Sequence, residues 1–226
     1  MQDKIELVIF DCDGVVIDSE IISARVLIAH LCLYGVKVDR QYVMKHFLGR
    51  SFPTVHQHIE DNFSVQLPDN FEQEYRTKLL AEFQTQLAET PGFSTMLAQL
   101  NCQYCIATSS SPKRVQGSLL QIGLAEQFKR NVFTASEVEH GKPAPDLFLH
   151  AAKQMGVAAD LCMVIEDSQP GVQAGQAANM QVINYRGGGH LINQKTQQAD
   201  NKITQISCWR EFIDMYPQLF TQEFKQ

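Results

Sequence analysis

An apolar run, Ile5-Glu6-Leu7-Val8-Ile9-Phe10, opens the chain and stops at Asp11-Cys12-Asp13-Gly14. Its length and its β-branched and aromatic content predict a strand buried on both faces. From residue 20 to 87 the pattern turns helical and shows no strand. Ile21, Ala24, Val26, Leu27, Ile28, Leu31 and Leu33 predict a long helix that stops near Gly35. Asp39 is placed to cap a second helix carrying Tyr42, Val43, Phe47 and Leu48, closed by Gly49. Ser51 and Pro53 begin a third, with Val55 and Ile59 one turn apart. Asp69 and Glu72 have the spacing of a capping box for a fourth, with Phe71, Tyr75, Leu79, Leu80 and Phe83. Four helices on short loops can form a small bundle of their own.

The period changes at Thr90-Pro91-Gly92. Helices are predicted at 93–100, 113–122, 145–155, 171–178 and about 208–216, with strands at 103–107, 132–134, 161–165 and 180–183. Strands alternating with helices imply βαβ units and a parallel sheet. Residues 186–202, Arg-Gly-Gly-Gly-His and then polar, are expected to form a mobile surface loop. The simplest organisation is an α/β core from residues 1–14 and 89–226, with 15–88 inserted as a helical bundle after the first strand.

Composition narrows the function classes. The 226 residues are 44% apolar and 19% charged, which is ordinary for a globular protein. A net charge of −6 argues against nucleic acid as a main partner. No apolar run reaches membrane-spanning length, and acids by position 3 argue against a signal peptide, so a cytoplasmic protein is expected. Six scattered cysteines are expected to be reduced and buried. Cys102 and Cys105 lie an odd number of residues apart, on opposite faces of a strand, so their C-x-x-C spacing is not expected to bind metal or cycle redox. His56 and His58, two apart on a helix, share no face and are expected to be solvated. His190 follows three glycines and has no partner that the sequence identifies.

Four polar clusters fall where strands or the loops after them end. They are Asp11 with Asp13, Thr108-Ser109-Ser110-Ser111, Lys142 within Gly141-Lys142-Pro143, and Glu166-Asp167-Ser168. Each has an ordinary explanation alone: a turn, a helix N-cap, a loop lysine, acids at a helix start. Together they are specific. Acids gathered in one cleft repel, so Asp11, Asp13 and Asp167 call for a cation. Hard oxygen donors favour Mg²⁺, which keeps waters and bridges to phosphate. Hydroxyls and backbone N–H groups entering a helix suit phosphate oxygens, so Ser109 and Lys142 would take what the cation leaves.

In these four motifs, in this order, the sequence resembles the haloacid dehalogenase superfamily of phosphotransferases, over essentially the whole chain. The insertion 15–88 is similar to the helical cap of the β-phosphoglucomutase-like branch. The resemblance implies a Rossmann-like parallel sheet with the first strand beside the fourth. It also implies Asp11 as nucleophile, forming an aspartyl-phosphate, and Asp13 as general acid and base. Mg²⁺ would be held by the Asp11 carboxylate, the Asp13 main-chain carbonyl and Asp167, with Glu166 supporting through water. Ser109, the Ser110 N–H and Lys142 would stabilise the phosphoryl oxygens. Asp18 and Ser19 would form the hinge into the cap, and Gly49 and Arg50 in Phe47-Leu48-Gly49-Arg50-Ser51 would match the substrate-specificity loop. The presence of Asp13 favours C–O–P chemistry over dehalogenation. The mutase pattern carries a histidine where this chain has Ser23, so a phosphatase is expected over a phosphohexomutase. The stretch Asp18-Ser19-Glu20 through Ser23 and Arg25 looks like phosphatases of small sugar phosphates and sugar acids, 6-phosphogluconate among them. A non-catalytic regulator that binds phosphometabolites would be expected to have damaged motifs, and these are intact. Members of this branch are commonly monomeric.

Overall fold

The computed structural model describes residues 4–47, 50, 52–191 and 203–221. A six-stranded parallel sheet forms its centre: β1 (Leu7–Phe10), β2 (Gln103–Thr108), β3 (Val132–Thr134), β4 (Cys162–Glu166), β5 (Gln181–Tyr185) and β6 (Thr204–Ile206). Their order across the sheet is β3-β2-β1-β4-β5-β6. Side-chain alternation divides β1 between two cores. Val8 and Phe10 join a cluster with Phe93, Phe128, Trp209 and Phe212, while Leu7 and Ile9 join Leu147, Phe148 and Ala151 on the other face. Both faces are covered, which is why β1 and β4 are apolar in every position up to their last residues.

In sequence, helices α1 (Glu20–Cys32), α2 (Arg40–His46), α3 (Phe52–Phe63) and α4 (Phe71–Gln86) lie between β1 and β2. The chain leaves and returns side by side, with Asp18 N–H donating to Ala88 O and Thr90 N–H to Val16 O. Then come α5 (Phe93–Leu97), α6 (Pro112–Gln121), α7 (Asp146–Met155), α8 (Gln169–Ala177) and α9 (Trp209–Met215). Among the described residues no helix is long and apolar enough to cross a membrane.

Several expectations need correction. Asp39 does cap α2, accepting from Tyr42 N–H. Asp69 does not cap α4: the N-cap is Asn70, without a side-chain bond, and Glu72 pairs with Arg76 instead. Strand β6 was not expected, because three residues reading Thr-Gln-Ile carry no strand pattern. Residues 186–191 are not an exposed loop. His190 and Leu191 are buried, because glycines let the chain press onto the core. Residues 192–202 of that stretch, apart from this, lie outside the described residues. Cysteines 12, 105 and 162 are buried, but Cys32 and Cys208 are exposed, and all six are free. His58 is half-buried rather than solvated, bonded to the Tyr42 hydroxyl at 2.8 Å beside the Phe47 ring.

Candidate active site

The sheet's register sets the site. Phe10 is level with Ile106 on one side and Ile165 on the other, so Asp11, Ala107 and Glu166 end in one row at the carboxyl edge. Because β2 leads outward to β3 while β4 leads the opposite way, this edge is the topological switch point, where open α/β sheets bind ligands. The cleft above it is walled on the far side by α1 and α4 and by residues around Arg50.

Lys142 reaches into this row. Its ammonium donates to Asp11 Oδ1 at 2.5 Å, Glu166 Oε1 at 2.8 Å and Ala107 O at 3.1 Å. Burial would pull the ammonium down, but Asp11 and Glu166 hold it above its ordinary value. Burial pushes Asp11 well above the usual carboxylate range despite Lys142, with Glu166 and Asp167 adding repulsion. Asp167 is raised by burial and by Glu166. Glu166 spends its second oxygen on the Ser168 N–H at 2.7 Å. Gly171 makes room for this carboxylate, since a Cβ there would collide with it.

Asp13 has different surroundings. Oδ1 accepts from Ser19 Oγ at 2.5 Å and from Arg114 Nη2 at 2.6 Å, and Oδ2 from Ser110 Oγ at 2.6 Å. Burial alone would raise this carboxyl, but Arg114 and the hydroxyl hydrogen bonds bring it below its ordinary value. Two carboxylates two residues apart thus have opposite electrostatics. Gly14 permits the approach: its φ is +79°, and a Cβ there would overlap Asp167.

Asp11, Glu166 and Asp167 offer oxygens within 4.8 Å of one another. Three buried carboxylates face one lysine in this row, and Asp167 Oδ2 is buried without a hydrogen-bond donor aligned on it. Excess negative charge and an all-oxygen donor set fit a hard divalent cation. Ser109 lines the cleft beside Ser110. The Ser110 N–H, expected to face phosphate, donates to Thr108 Oγ1 at 3.1 Å, so it must change partner to do so.

The sequence-predicted residues Asp11, Asp13, Ser109, Ser110, Lys142, Glu166 and Asp167 therefore converge on one cleft. Arg50 lies on the cleft wall and is exposed, whereas Gly49 lies outside the described residues. Asp18 accepts the Gly189 N–H at 3.0 Å, which pins the start of the insertion to the loop after β5. Three residues were missed. Arg114 sits on α6 with nothing in its local pattern to mark it. Glu20, at the start of α1, lines the cleft with its carboxyl pushed up to about 8 by burial and the nearby Asp13. His190 Nε2 lies 3.0 Å from Asp167 Oδ2. The triple glycine before it was the available signal, since a Cβ at Gly188 or Gly189 would crowd Gly14 O or Asp18.

The haloacid dehalogenase-like hydrolase family model matches residues 5–179. The 6-phosphogluconate phosphatase of Escherichia coli K12 is 28% identical over 188 residues, 83% of this chain and 85% of that protein. The fructose-1-phosphate phosphatase of the same organism is 27% identical over 187 residues, 82% of this chain and 99% of that protein. Among solved structures, a haloacid dehalogenase-like protein of unknown function from Agrobacterium tumefaciens superposes with a TM-score of 0.80. It is 29% identical and covers 95% of this chain and 98% of its own.

Proposed function

Because the chain belongs to the haloacid dehalogenase-like hydrolase family and is a phosphoric monoester hydrolase, we propose that it hydrolyses a small phosphorylated metabolite, a sugar phosphate or phosphosugar acid, through an aspartyl-phosphate on Asp11. The observation that carries this reading is the division between the two aspartates. Asp11 is held beside Lys142 in the buried row, whereas Asp13 is held by Arg114 and two hydroxyls. Asp11 shares its row with Glu166 and Asp167, where a bound cation would keep it ionised as a nucleophile must be, whereas the Asp13 side chain lies outside that row and is free for proton transfer.

In this reading Asp11 attacks phosphorus in line. Asp13 protonates the leaving oxygen and later takes a proton from the water that cleaves the aspartyl-phosphate. Arg114 and Ser19 hold Oδ1 of the anion, the form that acts as base, and Oδ2, beside the Ser110 hydroxyl, is the oxygen that carries the proton given to the leaving group. Lys142, Ser109 and the Ser110 N–H stabilise the phosphoryl oxygens. Mg²⁺ is the proposed cofactor, held by the Asp11 carboxylate, the Asp13 carbonyl and Asp167, and when bound it would offset the repulsion between a phosphate and Asp11. Glu166, with both oxygens taken by Lys142 and Ser168, suits a supporting position.

The segment 15–88 is read as a cap that closes over the cleft and selects the substrate. The paired backbone around Asp18 and Ala88 serves as its hinge. Ser23, which replaces the mutase histidine, is bonded to Arg114 at 3.3 Å and offers no imidazole, which favours hydrolysis over phosphoryl return. Arg50 on the rim suits a second anionic group such as a sugar-acid carboxylate. The test is a panel of sugar phosphates and phosphosugar acids assayed with wild type and R50A. The expected result is a roughly tenfold or larger loss of kcat/KM confined to substrates with a second anion. Unchanged kcat/KM across the panel would remove Arg50 from recognition.

A further inference from the structure

Arg114 is half-buried on α6, 101 residues from the aspartate it binds, and belongs to none of the four motifs. Its contacts span the cleft. Nη2 donates to Asp13 Oδ1 at 2.6 Å and to Ser23 Oγ of α1 at 3.3 Å. Its guanidinium carbon lies 5.3 Å from the centre of the Phe83 ring on α4, a cation–π distance. One side chain from the core thus holds a carboxylate of the core and two helices of the insertion. Asp13 also accepts from Ser19, the residue before α1. A planar guanidinium sets direction as well as charge, and here a single nitrogen, Nη2, reaches both Asp13 and Ser23.

We propose that Arg114 is a positioning residue that registers the Asp13 carboxylate against the inserted helices, so that the proton-transfer group is correctly aimed only when α1 and α4 are seated over the cleft. The substrate phosphate is held elsewhere, by the row at Asp11 and Lys142, and Arg114 acts only through Asp13. The consequence is specific to the leaving group. Expulsion of an alkoxide from a sugar phosphate needs a well-placed proton donor, whereas a dinitrophenolate leaves with little help. A misaimed Asp13 therefore slows the first and spares the second, because kcat/KM reports the step in which the leaving group departs.

This inference rests on the phosphatase reading and on Asp13 as the proton donor. The experiment compares kcat/KM for an alkyl phosphate (glucose 6-phosphate) and for 2,4-dinitrophenyl phosphate in wild type, R114A, R114K and D13N. Folding of each is checked by circular dichroism. R114A is expected to lose roughly 10–100-fold on the alkyl ester and less than about threefold on the aryl ester. Added guanidinium ion should restore part of the alkyl activity, and R114K should fall between. Equal losses on both esters, without rescue, would reduce Arg114 to a structural residue and overturn the proposal. If R114A does not fold, the R114K ratio decides in the same way. The D13N variant separates the two claims. A leaving-group-dependent loss in D13N but not at Arg114 defeats only the role of Arg114, whereas its absence in D13N defeats the proton-donor reading as well.

Discussion

Lys142 meets two carboxylates and a carbonyl with a side chain that is 3% exposed, and its partner Glu166 is 1% exposed. A buried pair broken from one side leaves an uncompensated charge, which costs about 3–5 kcal/mol. K142M is therefore expected to lose that much stability in urea denaturation at pH 7.5. The deficit should shrink at pH 5. The Asp11 carboxyl already lies above its unfolded value, so its contribution is fully present at low pH and is lost as pH rises through the folded value. Without Lys142 that folded value rises further, and acid relieves the strain. A deficit that stays constant with pH would contradict the account. At this scale the sequence was informative where chemistry comes in short motifs: Asp11, Asp13, Ser109, Lys142 and Asp167 each close a strand or loop that recognisably ends there. Arg114 and Glu20 were not legible, because their significance comes from contacts across the cleft rather than from neighbours in sequence.

The elements followed from periodicity wherever burial was one-sided or complete. Strands β1, β2 and β4 fall within one residue of expectation at most ends, and α1 to α4 occupy the predicted helical stretch. Failures came where a tertiary partner overrides a local signal. Glu72, spaced as a capping acid, finds Arg76 one turn on, and β6 is ordered by pairing with β5 rather than by its own composition. Between α1 and α4 lies a titratable contact that the sequence does not disclose. His30 is buried, stacked on Phe71 with ring centres 4.5 Å apart. Burial and then the charge of Lys78 hold its imidazole below the ordinary value of 6.5. The neutral form is the folded form. His30 therefore contributes stability that is present above pH 6.5 and lost as pH falls through its lower folded value. Wild type should show a drop in Tm between pH 7.5 and 5.5 that is smaller in H30Q. Parallel Tm profiles would show that this helix pair does not sense His30.

At the scale of the molecule, a parallel sheet and a helical run after β1 were legible, because alternation of strands with helices leaves few topologies, whereas the place of β1 beside β4 came from the family resemblance. The depth of the 186–191 segment was not, since glycine carries no hydrophobic signal even where close approach requires it. The assembled result is a switch-point cleft with a buried acidic row at its floor and residues of α1 and α4, from the stretch between β1 and β2 in sequence, along its wall. On the proposed function, Asp11 of this cleft is the nucleophile of a cation-dependent phosphomonoesterase. The most direct test is phosphate release from an aryl phosphate by wild type and D11N, each with Mg²⁺ and with EDTA. The account predicts turnover by wild type with Mg²⁺, loss on chelation, and a fall of about 10³-fold or more in D11N. Release by D11N at the wild-type rate would contradict it.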